Sequence, residues 1–210
     1  MIAFLAIALL SYLVGSIPSG FIAGRIAGVD VRTAGSGAIG ATNVTRLLGK
    51  RYGYPVFFAD FVKGLGAVGI ATLVNKQVSI SQNSAQLLQI VAGVFCVIGN
   101  AFPVWLRFRG GKGIATSAGV LFGLIPLNAL VGVIVWVVTF QITRYVSVAS
   151  MTATIALPLT VLVATYFRQT NEYLMLYLTM CLAGLVILRH RSNLSRLMRG
   201  TEKRFGASED

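Results

Sequence analysis

The chain has 210 residues, of which 56% are hydrophobic and 11% charged, with 18 Lys and Arg against 6 Asp and Glu and a formal net charge of +12. A water-soluble domain is about 45–50% apolar and about 25% charged, so this composition excludes a soluble globule, a disordered segment, a coiled coil and a disulfide-stapled secreted fold. It specifies an integral membrane protein, in which the placement of the cations says more than their sum.

Met1 to Gly24 is an uncharged run, long enough to cross about 30 Å of hydrocarbon at about 1.5 Å per residue. The first cation, Arg25, follows the run instead of preceding it, so a span is expected here, a cleaved signal peptide being the alternative. Ser16, Gly20, Gly24 and Gly28 recur at the four-residue spacing that lets helices approach closely in lipid. The segment from Arg25 to Arg51 is polar and basic, and Tyr52 to Asn75 is the second span. Asp60 and Lys63 lie on one face of it and can neutralise one another, as either a functional or a structural pair.

A short polar loop over 76–84 leads to the third span, Ala85 to Leu106, which ends in a basic, glycine-rich stretch from Arg107 to Gly113. The uncharged run from Gly113 to Thr143 is overlong for one helix, and Ile125-Pro126-Leu127-Asn128 predicts a break into two. Tyr145 to Phe167 and Tyr173 to Leu188 complete seven spans. Cys96 and Cys181 sit singly inside apolar stretches with no redox or metal spacing.

With seven crossings, 15 Lys and Arg fall on one side, against Lys76 and Arg168 on the other. The positive-inside rule then puts the N-terminus outside and the C-terminus in the cytoplasm. Six crossings would put the basic tail outside. The expected fold is an all-α integral membrane bundle of seven transmembrane helices, a single membrane-embedded domain over 1–210. Every glycine-rich or basic segment would lie on its cytoplasmic face, where chemistry is expected.

Three segments carry that chemistry. The first runs from Gly35 to Arg46 and contains G-x-G-x-x-G, but it follows a membrane helix and not a β-strand, which argues against a dinucleotide site. Its glycines, Gly37 and Gly40 included, let backbone N–H groups converge on an anion, and Ser36, Thr42, Asn43 and Arg46 add side-chain donors; the alternative is a flexible basic loop. In the second, Gly110, Gly111, Lys112 and Gly113 do not form a Walker A loop, since Leu106 and Gly113 stand where its first Gly and its Ser or Thr would be. Glycines and a lysine at the start of a span nevertheless suit a phosphate, an ordinary basic loop being the alternative.

The third runs from Arg189 to Glu202 and holds the only histidine, His190, which alone cannot build a His-rich metal site; no metal and no cofactor are expected. A helix-end cap or a headgroup contact is its plainer reading. Ser147 and Ser150, after Arg144, sit where serines commonly cap a helix.

Taken together, Gly-Ser-Gly-x-x-Gly-Ala-Thr-Asn-x-x-Arg at 35–46, Phe-x-Gly-Gly-Lys-Gly-x-Ala-Thr at 108–116 and Arg-His-x-x-Asn-x-x-Arg-Leu at 189–197 resemble the bacterial acyl-phosphate:glycerol-3-phosphate acyltransferase family. Gly15-Ser16-Ile17-Pro18 and Asp60-x-x-Lys63-Gly64 look like the family too. The resemblance implies a multi-pass enzyme of the bacterial inner membrane, with its active site on the cytoplasmic face, that makes lysophosphatidic acid from acyl phosphate and glycerol 3-phosphate. Ser36, Arg46, Lys112, Ser150, His190 and Asn193 would form its substrate site, with phosphate held at the Gly110-Gly111-Lys112 turn. Implied partners are membrane lipid and the enzyme that supplies acyl phosphate, with no nucleic acid. Ala38 and Asn100 depart from the family, which commonly has Asn and His there.

The residue chemistry is compatible. An acyl phosphate carries a good leaving group, and Arg46, Lys112, His190 and loop amides can gather several negative charges at the lipid boundary. Ser150 has no adjacent base in the sequence, so the expectation is direct attack by the glycerol hydroxyl without a covalent intermediate. The competing classes are a transporter of small organic phosphates, which would want cations near the bilayer midplane, and a basic membrane scaffold.

Overall fold

The computed structural model describes residues 1–78, 81–168 and 173–206. The expected 168–172 loop, part of the 76–84 loop and the tail beyond 206 thus lie, wholly or mostly, outside the described residues. Every regular element among those described is helical. The chain divides into two compact units, Met1–Leu124 and Ile125–Asp210, and the boundary falls at the break expected from Pro126.

In the first unit, α1 (Ile2–Ser16) and α2 (Ser19–Ile26) are separated at Ile17-Pro18, so the first apolar run is interrupted where proline removes a helical donor. The short α3 (Ala41–Leu48) follows the first glycine-rich segment, and α4 (Lys50–Val78) runs for 29 residues, about 44 Å at 1.5 Å per residue. Then come α5 (Gln82–Ala101), a 3₁₀ turn over Val104–Leu106 and α6 (Ile114–Leu124). Ile7, Ala67, Ala71, Leu88, Ala92 and Cys96 form one core cluster, and Val31, Ile39, Val44, Val56 and Leu106 a second that seats the glycine-rich segment.

Paired glycines set the helix spacing. A Cβ on Gly15 of α1 would strike the Cys96 carbonyl of α5, and one on Gly99 of α5 would strike the Tyr12 carbonyl of α1. The same reciprocal approach joins Gly64 and the Thr116 carbonyl to Gly119 and the Phe61 carbonyl, locking α4 to α6. Of the predicted small-residue stripe, Gly20 and Gly24 pack closely, against Ile39 and Val44 and against Val29 and Val31. Gly28 does not: it is exposed, with φ at +74° and nothing near it, and turns the chain out of α2.

In the second unit, α7 (Pro126–Thr143) begins with the proline at a position that needs no backbone donor. It pairs with α8 (Val146–Arg168), where Leu157 packs against Gly132 and Asn128 donates to Thr160. α9 (Tyr173–Arg189) and α10 (Arg191–Met198) meet at His190 with a bend of 56°. The following residues return to α7 and α8, where the Phe205 amide donates to the Arg144 carbonyl and its ring meets Phe140 edge-on.

Five stretches among the described residues are long and apolar enough to cross a membrane, with α1 and α2 together as the first, or six if the bent pair α9–α10 is one span. This is an all-helical integral membrane fold. The expected fourth of seven spans corresponds to α6, whose 11 residues rise about 16 Å, roughly half the hydrocarbon thickness. Apolar side chains such as Leu5, Phe58, Val62 and Leu162 are exposed along the long helices, as lipid contact requires.

Candidate functional site

In the first unit, the segment before α3 is organised from within by Asn43. This residue is 2% exposed; its Oδ1 accepts the Ser36 N–H at 2.8 Å, and its Nδ2 donates to the carbonyls of Val31 and Ala34 at 3.0 and 3.3 Å. Asn43, expected as an anion donor, therefore frames the loop, and the Ser36 backbone N–H belongs to that frame, so the hydroxyl is what Ser36 can present. Gly35 and Gly37 take positive φ of 61° and 69°, and Gly40 leads into α3 in extended conformation. One helical turn separates Thr42 from Arg46, which puts both half-buried side chains on the same face of α3.

The second segment turns sharply after α5. Arg107, Phe108 and Gly113 have φ of 50°, 62° and 79°, and Gly113 stands directly before α6. The Gly111 N–H donates to the Asn100 carbonyl at 3.0 Å. A Cβ on Gly110 would strike that carbonyl and the Pro103 ring, so the tight turn requires glycine there. Lys112 is half-buried, two residues before the helix start, where unpaired N–H groups and the positive end of the helix favour an anion.

A second basic feature flanks this turn. An open cleft of about 510 Å³ is lined by Arg32, Trp105, Leu106, Arg107 and Arg109. Arg32 is also held by Asp30 at 2.6 Å, and its hydrogen bonds and charge lower that carboxyl to about 2.

Beneath the turn, Asp60 and Lys63 are joined at 2.8 Å and are 6% and 9% exposed. Lys63 Nζ also donates to Asn100 Oδ1 at 2.8 Å and to the Ile17 carbonyl at 3.1 Å, and Ser19 Oγ donates to Asp60. Asn100, set aside in the sequence as a departure, thus contacts both the membrane pair and the glycine turn.

In the second unit, His190 is 3% exposed and its Nδ1 lies 2.8 Å from the Val186 carbonyl. A carbonyl only accepts, so Nδ1 carries the proton and the lone pair of the neutral ring sits on Nε2. The side chain turns back onto α9 and is buried, which replaces the headgroup-contact reading. Asn193, one turn on and equally buried, donates from Nδ2 to Glu202 Oε1 at 2.7 Å. Glu202 also accepts from Ser147 Oγ at 2.9 Å and from Arg196 Nε at 2.7 Å. Burial pushes its carboxyl upward, but the hydrogen bonds from Asn193, Arg196 and Ser147 outweigh that and hold it below the ordinary glutamate value. Ser150 receives a hydrogen bond from Trp136 Nε1 at 3.1 Å. The hydroxyls of Ser147 and Ser150 therefore tie α8 to the tail and to α7; the capping reading does not hold.

The structure brings Ser36, Thr42, Asn43 and Arg46 together around α3, and His190 with Asn193 at the bend. The sequence did not point to Ser19 or Glu202, and it marked Asn100 only as a departure from the family. For Glu202 the available signal was an acid set among the basic residues that follow α10, since a buried carboxylate needs several donors. Nothing local to Asn100 or Ser19 marks a partner on another helix.

The glycerol-3-phosphate acyltransferase family profile matches residues 5–200. Relatives named glycerol-3-phosphate acyltransferase include one from Aquifex aeolicus, 43% identical over 96% of this chain and 98% of its own length. One from Synechococcus elongatus is 40% identical over 98% and 96%. Two crystal structures of PlsY (YgiH), described as an integral membrane glycerol 3-phosphate acyltransferase, align closely. The glycerol 3-phosphate form gives a TM-score of 0.84 at 42% identity, covering 97% of this chain and 96% of that one. The lysophosphatidic acid form gives 0.82 at 41%, covering 97% and 95%.

Proposed function

The chain belongs to the glycerol-3-phosphate acyltransferase family, and we propose that it transfers the acyl group of an acyl phosphate to glycerol 3-phosphate, giving lysophosphatidic acid and inorganic phosphate. The glycerol hydroxyl oxygen attacks the acyl carbon, the bond from that carbon to the phosphate oxygen breaks, and the departing phosphate takes the hydroxyl proton. We assign Ser36, Arg46, Lys112, Ser150, His190 and Asn193 to this reaction, with residues 1–210 read as a single acyltransferase domain. Gly37, Gly40, Thr42, Gly110, Gly111 and Gly113 shape the phosphate-binding segments, with Asn43 as their internal brace.

The observation that carries this reading is the seat of Lys112, a half-buried ammonium on a glycine turn at the start of α6. There it can meet a phosphate with charge-assisted hydrogen bonds. The donor assignment rests on chemistry: a site rich in phosphate donors and poor in acids suits an acyl phosphate, whereas a thioester calls for a stronger positioned base. His190, with Nδ1 tied to Val186, orients glycerol 3-phosphate through Nε2. The family does not favour the transporter alternative.

We further propose that the protein crosses the bacterial inner membrane seven times, with α6 as a short fourth crossing, and has its active site on the cytoplasmic side. The asymmetry of 15 cations against two supports that orientation. An enzyme that makes acyl phosphate must act upstream of it.

Purified protein given radiolabelled glycerol 3-phosphate should form lysophosphatidic acid with palmitoyl phosphate and little with palmitoyl-CoA. Comparable kcat/KM for the two donors would overturn the donor assignment.

A further inference from the structure

We infer that Asp60, Lys63 and Asn100 form a positioning network for the Gly110-Gly111-Lys112-Gly113 turn, fixing where the Lys112 ammonium meets a substrate phosphate; this rests on the reading of Lys112 as a phosphate-holding residue. An ammonium carries three N–H donors, and Lys63 finds three acceptors on three parts of the first unit. These are Asp60 on its own helix α4, the Asn100 amide oxygen on α5 and the Ile17 carbonyl, which the Pro18 break removes from the regular helical ladder. Ser19, on the far side of that break, completes the set by donating to Asp60. A charge pair at this depth is expensive, and packing alone would be served as well by apolar side chains of the same volume. What a saturated ammonium adds is direction.

That direction ends at Asn100. Its side-chain oxygen is clamped by Lys63, while its backbone carbonyl accepts the N–H of Gly111, the residue before Lys112. The same carbonyl closes the turn against Gly110, and Asn100 Nδ2 lies 3.3 Å from where a Cβ on Gly111 would stand. One buried residue, held through its side chain and joined to the turn through its backbone carbonyl, therefore carries the position of α2, α4 and α5 to the lysine turn. These residues touch no reacting atom; they act through Lys112.

The test uses the full-length protein in lipid nanodiscs and measures Tm, kcat and the KM for each substrate. The variants are Asn100→Leu, the double variant Lys63→Met/Asp60→Asn, which leaves no unpaired buried charge, and Lys112→Ala as reference. In both the single and the double variant, the KM for the substrate that responds to Lys112→Ala should rise about tenfold, with Tm within a few degrees of wild type. A purely structural pair would instead move Tm and leave KM alone. Folded Asn100→Leu and double variants with wild-type KM for both substrates would overturn the inference. Should the double variant not fold, Asn100→Leu decides, because it leaves Lys63 paired with Asp60. Wild-type kinetics in Lys112→Ala would remove the reading of Lys112 itself, a result distinct from failure of the network.

Discussion

On the proposed reading, Lys112 and Arg46 are the side chains through which the first unit presents positive charge to substrate, and they should not respond alike to conservative change. A charge-assisted hydrogen bond is worth about 1.5–3 kcal/mol, so Lys112→Ala and Arg46→Ala should each lower kcat/KM by about one to two orders of magnitude while leaving Tm near wild type. Lys112→Arg should also be poor, because a planar fork does not replace a compact ammonium against a turn closed by Gly110 and Gly111. Near-wild-type turnover in folded Lys112→Ala would exclude this lysine from the site. His190 poses a different question, since its hydrogen bond to Val186 leaves the basic nitrogen at Nε2. If it orients glycerol 3-phosphate, His190→Gln retains measurable kcat with a raised KM for that substrate. Loss of all turnover at saturating substrate, with binding preserved, would make it the base instead.

Among the elements, the tail after α10 is joined to α8 and α10 through one carboxylate. Glu202 gathers Asn193, Arg196 and Ser147, so Glu202→Gln should loosen α10 and the tail and lower Tm. Its carboxyl is held below the ordinary value in the folded protein. The stabilisation is therefore present above the ordinary glutamate pKa and is lost as pH falls through the folded value, whereas the Gln variant should lack that acid-side loss. Thermal melts of both proteins across that range check the sign. The α4–α6 contact is tested by Gly119→Ala, whose methyl would meet the Phe61 carbonyl; overpacking of this kind costs about 1–3 kcal/mol and should appear as a lower Tm. Much of this level is legible in the sequence: Pro126 announces the α6–α7 break, and the glycine-rich segments before α3 and α6 stand out by composition alone. What is not legible depends on residues far apart in the chain. Ile17, Lys63 and Asn100 lie on different parts of the first unit and meet only once it is packed, and Ser147 meets Glu202 from 55 positions away. Proline at 18 is visible, but its consequence for Lys63 is a property of the packed unit.

At the scale of the whole molecule, the proposed orientation rests on the asymmetry of charge. In intact cells of a cysteine-free background, a cysteine placed at Ser81 should react with an impermeant thiol reagent, and one at Thr33 should react only after the membrane is opened. Labelling of Thr33→Cys from outside would reverse the topology and move the site to the other face. The central claim, acyl transfer from an acyl phosphate assisted by cations of the glycine-rich segments, is tested most directly by product stoichiometry. Wild-type protein and the Arg46→Ala/Lys112→Ala double variant would be given palmitoyl phosphate and radiolabelled glycerol 3-phosphate, and lysophosphatidic acid and inorganic phosphate measured together. Wild type should release the two products one for one, and the double variant neither above background. Phosphate release without lysophosphatidic acid from wild type, or undiminished turnover in the double variant, would contradict it.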